Sequence, residues 1–88
     1  MPVSVIVAHI GDPRLRERVT ETVQQAFAHR DGQWQVSIVG SQANDNWEMK
    51  ITGPSLFERS YTLFGTEGEH ELHVIRERIE EMLPKEKR

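Results

Sequence analysis

Trp34-Gln35-Val36-Ser37-Ile38-Val39-Gly40 and Trp47-Glu48-Met49-Lys50-Ile51-Thr52-Gly53 are two versions of one phrase, and their reading decides the fold. Each alternates apolar and polar residues at period two, which in an extended backbone sends the apolar set to one face and the polar set to the other. Residues 41–46 separate the copies, so the phrases read as an antiparallel hairpin. Placing Gly40 opposite Trp47 also sets Ile38 against Met49, Val36 against Ile51 and Trp34 against Gly53. Each indole then covers a cross-strand glycine and fills the gap that a missing side chain leaves.

Upstream of the hairpin, residues 3–10 form a β-rich run. Its two faces, Val3/Val5/Val7/His9 and Ser4/Ile6/Ala8/Ile10, are both largely apolar, the pattern of a well-covered strand. Gly11-Asp12-Pro13 breaks it and starts a helix, with Asp12 as cap and Pro13 at the first helical position. Leu15, Val19, Val23, Ala26 and Phe27 give that helix one apolar stripe, and Arg30-Asp31-Gly32 is expected to stop it.

Downstream, Gly53-Pro54-Ser55 turns the chain into a fourth strand, residues 57–64, with expected pairs Ile51 with Tyr61, Met49 with Leu63 and Trp47 with Gly65. Trp47 is thereby expected between two glycines. Thr66-Glu67-Gly68-Glu69 has the form of a capping box opening a second helix, whose stripe is Leu72, Ile75, Ile79, Met82 and Leu83. Pro84 ends it, leaving residues 85–88 as a charged tail after a single domain of residues 1–84.

The order β-α-β-β-β-α, with a right-handed crossover and short hairpins, predicts an α+β two-layer sandwich. Its four-stranded mixed sheet has the order 1-2-3-4, with both helices on one face. The other face is left open and lined by Gln35, Ser37, Lys50, Thr52, Ser60 and Thr62.

Composition narrows the function classes. The chain has 88 residues and no cysteine, so neither disulfides nor thiolate metal ligands supplement its one core. No apolar stretch approaches the ~20 residues of a membrane helix, and the expected location is the cytoplasm with no membrane partner. With 11 basic and 14 acidic residues the formal charge is −3, which disfavours phosphate neutralisation as the main source of affinity.

Glu69, His73 and Glu77 are spaced i, i+4, i+8 with His70 beside them, residue types that suit zinc. No second cluster supplies further ligands, so a solvated helix face is the preferred reading and no metal is expected. His9 and His29 are isolated from any base or nucleophile partner. The serines form no Gly-x-Ser-x-Gly elbow and the glycines no phosphate loop, so neither catalysis nor a cofactor is expected. Arg14, Arg16, Arg18 and Arg30 are the candidate phosphate contacts, interleaved with Glu17, Glu21 and Asp31.

The element order β-α-β-β-β-α resembles that of the ribosome hibernation-promoting factors, and its α-β-β-β-α portion is similar to double-stranded RNA-binding domains. No motif accompanies the resemblance. Double-stranded RNA-binding domains open their last helix with lysines, where this chain has Glu69-His70-Glu71-Leu72-His73. Hibernation factors are basic along their helices, where Arg76-Glu77-Arg78-Ile79-Glu80-Glu81 is mixed. The resemblance is one of fold and carries over no functional residue; it suggests, as the alternative reading, an RNA- or ribosome-associated domain, for which the helix-one arginines Arg14, Arg16, Arg18 and Arg30 are the candidate contacts read from the charge pattern.

The residues themselves favour a small interaction module that self-associates through the open sheet face or an edge strand. Val39 and Phe64 are expected to flank Glu48 on that face, and strand 4 is an unpaired edge. The expected partner is a second copy or another protein.

Overall fold

β2 (Trp34–Gly40) and β3 (Asn46–Gly53) pair antiparallel in the computed structural model, which describes residues 3–83. Val36 stands opposite Ile51, Ile38 opposite Met49 and Gly40 opposite Trp47, the expected register. β1 (Val3–Ala8) runs parallel to β2, and β4 (Phe57–Phe64) antiparallel to β3, giving a four-stranded mixed sheet in the order β1-β2-β3-β4. Pro84 and the tail lie outside the described residues.

α1 (Pro13–Ala26) starts as the sequence dictates: the Asp12 carboxylate accepts the Arg14 and Leu15 N–H groups, and Pro13 sits in the first turn. Val19, Val23 and Phe27 are fully buried. The helix ends earlier than Arg30, at the Phe27 cap, and Gly32 takes the left-handed conformation at φ +94°. α2 (Leu72–Met82) lays Ile75 and Ile79 on the same core, which also holds Val36, Ile38, Met49, Ile51 and Leu63 with no exposed surface.

Four expectations change. β1 lies at the edge that the order 1-2-3-4 gives it but is not covered on both faces: Ile6 on its outer face is 51% exposed. The strand stops at Ala8 because His9 turns left-handed (φ 59°), which swings Ile10 off the open face and into the core.

β4 is shifted by two residues against β3, pairing Trp47 with Leu63, Met49 with Tyr61 and Ile51 with Arg59. An even shift keeps every side chain on its expected face. Its cause is the tightness of the turn: Ser55 and Leu56 both have positive φ (59° and 62°), and the Phe57 N–H donates to the Pro54 carbonyl at 3.2 Å. Two successive left-handed residues mark the primed turns that asparagine and glycine favour. The double substitution Ser55→Asn with Leu56→Gly should therefore raise stability by about 1 kcal/mol or more, read as a higher denaturation midpoint at unchanged slope.

Trp47 does not lie between two glycines. Its ring stacks on His70, centroids 3.6 Å apart and planes at 10°, while Gly65 instead donates its N–H to the Asp45 carbonyl. The space over Gly40 belongs to the His9 carbonyl, which a Cβ there would overlap. Gly40→Val should accordingly lose about 1 to 3 kcal/mol through a main-chain clash and not through crowding of an indole. Trp34 does cover Gly53 as expected, and packs between Phe27 and Phe57, each at 5.4 Å.

The second helix, finally, has no capping box. A 3₁₀ turn (Gly65–Glu67) precedes it, and the helix proper begins at Leu72 after a Glu71 cap with no side-chain bond.

Candidate interaction surface

The sheet face away from the helices is built of cross-strand rows. Ala8, Val39, Glu48 and Thr62 form one, and Ile6, Ser37, Lys50 and Ser60 the next. The Thr62 hydroxyl donates to Glu48 at 2.9 Å, and Lys50 pairs diagonally with Glu58 at 2.7 Å, holding the Glu58 carboxyl below its ordinary range. Both pairs are exposed and contribute little to stability. They do fix the polarity of the face: its β3–β4 side is charged and internally satisfied.

The β1–β2 side is different. Ile6, Ala8 and Val39 are neighbours there with no charged residue among them, and Ile6 is the most exposed of the three. Two shallow depressions of about 310 and about 240 Å³ meet at Gln35 and Thr52, reaching from Ser4 and Trp34 to Ile6 and Lys50. Neither is lined by a histidine or a carboxylate.

The expected trio of Val39, Glu48 and Phe64 is split by the β4 shift. Thr62, not Phe64, stands across from Glu48, and Phe64 faces Asn46 at the far edge, 40% exposed. Ile6 takes its place as the prominent apolar side chain of the face. Its signal in the sequence is the apolar outer side of the first strand.

The candidate phosphate ligands are also separated. Arg14, Arg16 and Arg18 are exposed in the first turns of α1, whereas Arg30 lies beyond the helix end with its guanidinium 6.0 Å from the Trp34 ring. The helix between them spans about 20 Å at 1.5 Å per residue.

Glu69 is the residue the sequence hides best. It does not share a helix face with His73 and Glu77, because it precedes α2 and turns inward, only 4% exposed. One carboxylate oxygen accepts the Phe64 N–H at 3.0 Å; the other accepts the Tyr61 hydroxyl at 2.7 Å and the Arg78 Nε at 3.1 Å. The Phe64 N–H, then the Tyr61 hydroxyl, hold its carboxyl below the ordinary range, and the same contact raises the Tyr61 phenol. With both oxygens engaged and the side chain buried, Glu69 joins the α2 entrance to β4. His70 beside it donates from Nε2 to the Leu63 carbonyl at 3.0 Å. No group of three metal-ligating side chains assembles among the described residues. No helix among them is long and apolar enough to cross a membrane.

No protein-family model and no curated protein matches the chain. Among solved structures, the crystal structure of the Thermus thermophilus Protein Y N-terminal domain is similar, with a TM-score of 0.53 and 9% identity over 94% of this chain and 100% of that one. At that identity the likeness is one of fold. It matches the β-α-β-β-β-α architecture read from the sequence.

Proposed function

We propose that this chain is a small non-catalytic interaction domain of the cytoplasm that binds a second polypeptide, self-associating, through the β1 side of its sheet. The observation that carries the reading is Ile6, half exposed at the centre of an uncharged edge strand and adjoining Ala8 and Val39. An apolar strip beside an open strand edge provides both the desolvation and the main-chain hydrogen bonds on which strand-mediated association draws. Phe64, at the opposite edge, falls outside this contact.

Sedimentation equilibrium tests it. Ile6→Asp should shift the chain toward monomer by placing an unpaired charge in a desolvated contact, while Phe64→Asp and Arg14→Glu leave association unchanged. Association lost equally in all three variants would contradict the assignment.

A second reading, an RNA- or ribosome-associated domain, is supported by the element order shared with hibernation-promoting factors, by the fold likeness just described, and by the exposure of Arg14, Arg16 and Arg18. Affinity carried by those arginines falls steeply with added salt and is lost in Arg14→Glu, whereas association through the β1 side is nearly salt-insensitive.

A further inference from the structure

We infer that the outer edge of β1 pairs antiparallel with β1 of a second copy about a two-fold axis, so that two four-stranded sheets run into one. The inference rests on the interaction reading above and specifies its partner and register. β1 is bonded to β2 along its whole length, from Val3 beside Trp34 to Ala8 beside Val39, and among the described residues no strand covers its other side. A free strand edge is ordinarily blunted by charge, proline or a bulge. The β4 edge is blunted in this way, carrying Glu58 and Arg59 with Lys50 paired to Glu58. Val3-Ser4-Val5-Ile6-Val7-Ala8 has no charge and no proline.

The pleat decides which partner fits. Opposed residues of an antiparallel pair share a face, so two copies of β1 related by a two-fold axis must pair odd positions with odd and even with even. Of the registers that satisfy this, two overlap the strands most fully. One sets Val5 against its own copy and Val3 against Val7; the other sets Ile6 against its own copy and Val5 against Val7. In both, valine meets valine on the helix side, where Val5 and Val7 are only half buried, and Ile6 is covered on the open side. Both place the helices of the two copies on the same side of the joined sheet, and neither buries a charge.

Pairing β1 with β4 of another copy instead would set this apolar strand against Glu58 and Arg59. It would also be a heterologous contact, which builds a ring or an open filament and not a closed dimer. Pairing β1 with β1 closes, consumes the unprotected edge and leaves only the charged ones outside.

Because the chain has no cysteine, single cysteines report the contact cleanly. Val5→Cys and Val7→Cys keep the side chains small and on the helix side, which copies stacked face to face cannot bring together. Under mild oxidation, Val5→Cys is expected to form an intermolecular disulfide by itself in the first register, and an equimolar mixture of Val5→Cys and Val7→Cys in the second. Ser60→Cys, exposed in the middle of β4, is expected to form none. Circular dichroism of each variant confirms that it is folded, and Ile6→Cys and Val39→Cys, on the open side, report copies stacked face to face.

If wild type associates and cross-links form through Ile6→Cys or Val39→Cys but not through the valines, the copies stack by their open faces. That result overturns the edge pairing while the interaction reading stands. Absence of any self-association overturns both.

Discussion

Ile79→Ala should lower the unfolding free energy by about 2 to 5 kcal/mol, while Glu80→Ala, one position along the same helix, should stay within about 0.5. Ile79 has no exposed surface and lies in the row Ile75, Ile79, Leu83 that α2 presses on the sheet. Truncation there removes buried apolar volume that the surrounding side chains cannot fully refill. Glu80 faces solvent and accepts from Arg76 at 3.1 Å in an exposed i, i+4 pair. Such pairs are worth a few tenths of a kcal/mol. Urea denaturation of the two variants measures both values, and equal losses would mean that the helix is rotated from the position described.

Glu69→Ala should cost about 2 to 4 kcal/mol, because it leaves the Phe64 N–H and the Tyr61 hydroxyl facing a hole in place of their acceptor. The same carboxylate sets a pH dependence. Its pKa is lowered in the folded chain, so the unfolded state binds the proton more tightly and folding is favoured while the group stays ionised. That contribution is fully present above the ordinary glutamate value of 4.5 and is lost as pH falls through the lower folded value. Tyr61 acts in the opposite sense: its raised pKa contributes stability below 10.0 that is lost as pH rises beyond it. Glu69→Gln should therefore flatten the acid limb of a stability-against-pH curve relative to wild type. Parallel acid limbs in the two proteins would contradict the role given to Glu69.

Much of this architecture is legible in the sequence because its main signal is periodic. Val36, Ile38, Met49 and Ile51 alternate with polar residues, and burial of one face admits few registers, so β2 and β3 pair as the pattern says. Asp12 and Pro13 announce α1 by chemistry that acts within one turn. The departures share a cause of another kind: residues doing what their type seldom does. His9, Ser55 and Leu56 adopt left-handed conformations with no glycine or asparagine to signal them. The first ends β1 early, and the other two shorten a hairpin and move β4 by two residues.

Glu69 is likewise misplaced by a local rule. Thr66-Glu67-Gly68-Glu69 satisfies the capping-box pattern, but three donors from β4 and α2 compete for the carboxylate and win it from the helix end. Of the candidate surface, the sequence shows the open face but points to strand 4 as its edge, where the structure exposes the apolar side of β1. Alternation alone places Val39 and Phe64 on the open face, yet which residue stands opposite Glu48 depends on the turn, and the apolar outer side of β1 reads as a covered face although Ile6 is half exposed there.

Pairing of β1 with β1 of a second copy makes the chain a closed dimer. The most direct measurement is the mass of the unmodified chain by light scattering over a wide concentration range. With β1 paired to β1, the mass should rise from the 10.2 kDa of one chain toward twice that value, and no further, because the pairing closes. A mass of 10.2 kDa at every concentration would contradict it, as would growth past a dimer.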